Sequence, residues 1–223
     1  MKLFLSLIRV HLCLSVVLSF VCVTQVFAGK KDGRLDIYWV DVEGGAATLV
    51  VTPAGESVLI DTGNPGRRDA DRITQVATRI AGLKKIDHVV ITHYHGDHFG
   101  GASFLAKSMP LGTLWDNGEF EGQPNFPSKD YLQLKADKKV VINPGDVLPL
   151  AQAKESSDLK FTCLGTRKTF IEAAADTEDN TDLCASGKSK ERDGSDNANS
   201  VVMLLEFGPF RFFDAGDLTW NQE

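Results

Sequence analysis

The 223 residues include 24 basic and 30 acidic ones, a formal charge of −6. That balance argues against indiscriminate binding to nucleic acid or anionic membranes, so no stable nucleic-acid complex is expected; a metal site, which needs only local carboxylates, stays open. The length suits one domain with a substantial core and asks for no second.

The first segment reads as a leader. Lys2 and Arg9 flank a short apolar run from Val10 to Val23 that leads into VFAGKK, the pattern of a secretory signal peptide. Val26 and Ala28 take the small-residue positions before the expected cut, so 1–28 is read as signal peptide and 29–223 as the mature domain. A retained anchor is the alternative, but the 14-residue run falls short of the ~20 apolar residues that span a bilayer. Bulky Val21 before Cys22 speaks against lipid attachment. Cleavage takes Lys2 and Arg9 away, so the charge of −6 becomes −8, and the product is expected in the periplasm or outside the cell, free of the membrane. There Cys163 and Cys184 meet an oxidising compartment. They can pair with each other, or Cys184 with a partner outside this sequence; neither has a second Cys or His at zinc-ligand spacing.

RLDIYWVDV, ATLVVT and VLID follow as short β-rich runs around the turn PAGES, and predict an antiparallel meander. Ile73, Val76, Ala77 and Ile80 then fall at helical spacing behind Asp69 and Asp71, with Gly82 as the stop. HVVIT, residues 88–92, reads as a buried strand that leads directly into THYHGDHFGG. Gly100 and Gly101 lead into a helix at ASFLAK. Further strands are expected at GTLWDNG, on either side of the turn in VVINPGDVLPL, at LKFTCLG, and at the pair SVVMLLEFG and FRFFDAGD, with a helix over 128–138. From Thr166 to Asn197 the composition turns polar and charged, which predicts a surface excursion with at most one short helix.

The chemistry concentrates in residues 93–98. His93 and His95 stand two apart on an extended loop and can offer two imidazoles to one ion. Asp97 and His98 follow a turn eased by Gly96 and can serve a second ion. Imidazole with carboxylate favours zinc, with iron or manganese next; the bland reading is a solvated polar loop.

THYHGDHFGG after a buried strand, VLIDTG before it and RFFDAGD after it resemble the motifs of the metallo-β-lactamase fold superfamily of metal-dependent hydrolases. VDVEGGAATLVVTPAGESVLIDTG and NANSVVMLLEFG are most similar to the subgroup related to the extracytoplasmic hydrolase domain of the competence protein ComEC, with Glu43-Gly44-Gly45-Ala46 where that subgroup carries GQGD. The resemblance implies an α/β (α+β) fold, a four-layer αββα sandwich of two similar halves. It makes His93 and His95 ligands of a first ion, Asp97 and His98 ligands of a second, and Asp217 the carboxylate between them. Asp61 orients the metal loop through hydrogen bonds, where the residue alone would read as a strand-end turn acid. Two departures stand out: no histidine lies between His98 and Asp217, and the sequence stops six residues after Asp217, where the family has a further histidine strand. The second half of the sandwich is therefore expected to be incomplete, a truncation at the C-terminal end.

The implied activity is hydrolysis of an ester, amide or phosphodiester by a metal-activated water that Asp97, the catalytic carboxylate, orients. The resemblance tilts the substrate towards phosphodiesters, and the acidic charge keeps β-lactam, lactone and sulfate-ester substrates open. Two zinc ions are the expected cofactors of the intact form. A non-catalytic secreted module holding one ion or none is the rival reading. The oligomeric state is not fixed by the sequence.

Overall fold

The structure, a computed structural model, describes residues 33–154, 156–172, 181–187 and 190–222, apart from the side chains at 183 and 184. The leader and its cleavage point lie outside the described residues, as does the Cys184 side chain.

The first sheet has six strands in sequence order: β1 (Asp36–Trp39), β2 (Thr48–Val51), β3 (Ser57–Ile60), β4 (Ile86–Val90), β5 (Leu111–Asp116) and β6 (Lys138–Val141). β1 to β3 form the expected antiparallel meander, and β3 to β6 run parallel. Every residue of β2 and β3 is buried, as continuous apolar strands require when both faces are covered. One cover is helical, from α1 (Arg67–Gln75) and α3 (Ala102–Ser108), which enclose Leu49, Leu59, Ile73, Val89 and Leu105. The other is a second, antiparallel sheet of β7 (Leu159–Thr166), β8 (Thr169–Phe170), β9 (Val202–Phe207) and β10 (Phe210–Asp214) in the order β10-β9-β7-β8. Between the sheets lie Val50, Val58, Ile60, Val90, Phe161, Met203 and Leu205. The described residues thus build helices on sheet on sheet, an α/β sandwich. On the far side, Phe210 and Phe213 of β10 are 45% and 55% exposed.

Three expectations need correction. The helix over 128–138 is only one turn, α4 (Lys129–Leu132), started by Ser128 Oγ accepting from the Tyr131 N–H. Lys138, at the expected helix end, instead opens the edge strand that pairs with β5, which includes the first strand expected in VVINPGDVLPL at Val140 and Val141; Thr113↔Lys138 pairing satisfies backbone groups there. Beyond α1 the backbone widens into a π-helical stretch, Val76–Ile80, so Ile80 turns outward to 55% exposure where regular spacing places it inward. The second expected strand around the Asn143-Pro144-Gly145-Asp146 turn reduces to one bridge, Val147↔Thr162. The polar excursion carries β8, a helix α5 (Thr181–Ser186) and a 3-10 turn over Asp196–Asn199. Among the described residues no helix is long and apolar enough to cross a membrane.

Candidate metal centre

β3 and β4 end side by side, and their pairing sets the site. Asp61 follows β3 directly in a left-handed conformation (φ 59°), and its N–H donates to the Val90 carbonyl at 2.8 Å. The carboxylate is thereby turned under the loop that leaves β4. Asp61 Oδ1 accepts from the Thr92 N–H at 2.8 Å, and Oδ2 accepts from the Thr92 hydroxyl and from His98 Nδ1, each at 2.7 Å. Thr92 Oγ1 in turn lies 3.0 Å from His93 Nδ1.

These contacts fix both imidazoles. A hydroxyl has one proton, and a carboxylate can only accept, so the Thr92 proton goes to Asp61 and the oxygen must accept from His93 Nδ1–H. His98 Nδ1 likewise donates to Asp61. Both rings therefore carry their Nδ1 proton on the buried side and turn Nε2 towards a common point. That point holds Asp217: donor atoms of His93, His98 and Asp217 lie within 4.8 Å of one another, and His98 Nε2 is 3.4 Å from Asp217 Oδ2.

His95, half-buried, sets its Nδ1 2.9 Å from His93 Nε2 and stands outside the converging trio. Asp97 stands outside the converging trio, half-buried on the first turn of α2 (Gly96–Phe99). The loop that precedes β2 presses on it: the Ala46 N–H donates to the Asp97 carbonyl at 3.2 Å, and a Cβ on Gly45 would overlap that carbonyl. Thr62 binds the far end of the turn, donating from its N–H and its hydroxyl to the His98 carbonyl at 2.6 and 2.9 Å.

The charges suit a cation. Burial pushes His98 down, but hydrogen bonds with Asp217 and Asp61 outweigh it and carry the imidazole up to about 10. The hydrogen bond to His98 holds Asp217 below the usual carboxylate range. Burial, with His98 and His95 nearby, lowers His93 to about 3, which leaves it neutral, its Nε2 lone pair facing His95 Nδ1 at 2.9 Å. Two imidazole nitrogens and a carboxylate form a donor set that fits a divalent transition ion, which would displace the proton that His98 Nε2 otherwise holds towards Asp217.

Several residues of this network are absent from the sequence reading. Thr92 is a β-branched strand end by pattern, and only contact shows it to be the link between Asp61 and His93. Asp214, three residues before Asp217, is pushed up to about 6 by burial and by the Asp61 carboxylate; the doublet DAGD was the available signal. Ser200 Oγ lies 3.5 Å from His93 Nδ1 and accepts from the Asp217 N–H at 3.3 Å, joining the first motif to the last. Asp196, fully buried, accepts from the Tyr94 N–H at 2.8 Å across 102 positions. Tyr94 itself packs edge-on against Phe99 and Tyr131, and His88 Nδ1 accepts from Trp115 Nε1 at 3.1 Å, so both belong to the core. Among the described residues Cys163 is a free, buried thiol.

The sequence pattern of the metallo-beta-lactamase superfamily matches residues 40–174, and the chain belongs to that superfamily. It is 34% identical over 89 residues to a metal-dependent hydrolase of Cupriavidus metallidurans, covering 39% of this chain and 27% of that protein. It is 26% identical over 192 residues to a metal-dependent hydrolase of Cupriavidus necator, covering 83% of this chain and 56% of the relative. The sequence therefore spans little more than half the length of this longer-matching relative. Among solved structures, a subclass B3 metallo-beta-lactamase from a soil metagenome library matches with a TM-score of 0.47 at 18% identity, over 79% of this chain and 58% of that one.

Proposed function

We propose that the protein is an exported metal-dependent hydrolase that acts on phosphodiesters. The observation that carries the hydrolase reading is the convergence of His93, His98 and Asp217 donor atoms within 4.8 Å, with both imidazole tautomers set from behind by Asp61 and Thr92. Support for a phosphodiester comes from the similarity of the VDVEGGA, VLIDTG and NANS segments to the ComEC-related subgroup.

His93, His95, His98 and Asp217 would hold the metal, with Asp97 at the edge of the site. A divalent ion, zinc in first place, supplies there a lowered pKa for water and polarisation of the electrophilic oxygen. Asp61 and Thr92 keep the His93 and His98 lone pairs pointed inward. Asp97, half-buried on α2, orients the attacking water and accepts its proton on a carboxylate oxygen. Export, with cleavage after Ala28, accompanies this reading and is checked by the intact mass of the exported protein.

The deciding experiment is elemental analysis after dialysis, paired with turnover of bis(p-nitrophenyl) phosphate. His93→Ala is expected to lose metal and turnover together. Asp97→Asn is expected to carry less metal and to lose most turnover. Equal metal in the wild type and in the variant combining both substitutions would remove the 93–98 loop as the site; bound metal without turnover would leave a non-catalytic module.

A further inference from the structure

The segment before Asp196 and the segment after Asp217 come together beside the His93, His98 and Asp217 cluster. Each is anchored there: Asp196 Oδ2 accepts from the Tyr94 N–H, between the two loop histidines, and the Asp217 N–H donates to Ser200 Oγ. Leading away from these points the segments meet again. Asn221 Nδ2 donates to the Lys190 and Glu191 carbonyls at 3.2 and 2.6 Å, and Lys190 Nζ stands 4.3 Å from the centre of the Trp220 ring. They enclose an open cleft of about 340 Å³, with Lys190, Glu191 and Asp193 on one wall and Leu218, Trp220 and Asn221 on the other. Three peptide units join Trp220 to Asp217, so their α-carbons are at most about 11 Å apart. One small substrate can therefore reach both the cleft and the metal-ligating residues.

Trp220 contributes little to the core, since its side chain is 71% exposed. The Lys190 ammonium holds the ring by a cation–π contact, and the Asn221 amide ties down the backbone on which Lys190 stands. An indole fixed in this way and left open at the mouth of a cleft offers a face on which a planar group stacks. The charges of the cleft decide what that group is. Glu191 is exposed, and the Asp193 carboxylate accepts from the Ser195 N–H and hydroxyl at 2.7 and 2.9 Å. Both acids set against the single Lys190 disfavour an anion inside the cleft, so it suits an uncharged ring, and the anionic part of a substrate is left to the Asp217 end.

We propose that Trp220 is a stacking platform for a planar aromatic group of the substrate, whose phosphate lies at His93, His98 and Asp217. The inference rests on the phosphodiester reading above and names a group that this phosphodiester carries. A simple aryl ester and a nucleoside ester share the ring that the platform takes. Trp220 touches the substrate away from the reacting atoms, so it sets affinity and selectivity. Lys190 acts as its positioning residue by holding the indole in place.

The test measures binding to the whole, Zn2+-loaded protein by titration calorimetry. Phenyl phosphate is compared with methyl phosphate, and uridine 5′-monophosphate with ribose 5-phosphate, so that each pair differs chiefly by a ring. At least one ring-bearing probe is expected to bind the wild type about 10-fold or more tightly than its ring-free counterpart. The pair with the larger gap tells an aryl ester from a nucleoside ester. Trp220→Ala should abolish the gap while leaving zinc content and the affinities of the ring-free probes unchanged, and Trp220→Phe should keep most of it. No gap in the wild type, or a gap that survives Trp220→Ala, overturns the proposal and leaves phosphate binding at the metal standing. A zinc-loaded wild type that binds none of these phosphates refutes the phosphodiester reading, and this proposal with it.

Discussion

Asp61 Oδ2 accepts the Thr92 hydroxyl at 2.7 Å, and through that hydroxyl one buried carboxylate orients a second histidine it never touches. The same oxygen takes the His98 Nδ1 proton directly. Asp61→Asn puts an amide there, and its N–H group opposes one of these donors. Metal affinity is expected to fall about 10–100-fold, read by chelator competition. Thr92→Val should weaken binding in the same direction and Thr92→Ser should restore it. A valine variant with unchanged affinity would mean that His93 is oriented by packing alone.

Gly45 is expected to be intolerant and Gly44 tolerant, although they are neighbours. A Cβ at 45 would overlap the Asp97 carbonyl, and a Cβ at 44 meets nothing within 4 Å. Gly45→Ala should cost about 1–3 kcal/mol in denaturant unfolding, since the metal loop must shift to admit it. Gly44→Ala should stay within about 0.5 kcal/mol of the wild type.

Metal removal should lower the melting temperature. An ion that binds only the folded protein adds about 2.7 kcal/mol at a free concentration one hundred times its Kd. Differential scanning calorimetry with and without a strong chelator should therefore show a shift in the wild type. The shift should vanish in His98→Ala. A chelator effect of equal size in that variant would place the ion elsewhere.

Cys163 gives a dependence on alkaline pH. Burial pushes its thiol from an ordinary 9.0 up to about 12, so folding favours the neutral form. That contribution is complete below the unfolded thiol's pKa and declines as the pH rises from about 9 towards 12. Cys163→Ala should lose part of this alkaline sensitivity. In the native wild type a thiol reagent at pH 8 should react slowly at this position, and denaturant should release the reaction.

The antiparallel start and the buried strand before the histidines follow from local pattern, and the α/β class from the resemblance of the motifs to a known superfamily. Alternating or continuous apolar runs and turn residues are short-range signals, and in these segments they reach the structure intact. The helix over 128–138 shortens to Lys129–Leu132, and Lys138 at its expected end pairs with Thr113 of β5, a partner more than twenty positions away that no window of local propensity contains. Asp217 could be nominated by motif, but its 3.4 Å approach to His98 depends on β10 pairing with β9 and on Ser200 meeting both the Asp217 backbone and His93. Asp196 carries no sequence signal, and Thr92, although it opens THYHGDHFGG, is an ordinary polar residue until the fold buries it beside His93 and Asp61. The sequence by itself determined which donors this protein owns and which strand carries them. Only the tertiary structure decided which ring nitrogens face one another, because a tautomer is set by the hydrogen bond on the opposite side of the ring, and here that bond leads, directly for His98 and through Thr92 for His93, to Asp61 at the end of the strand next door.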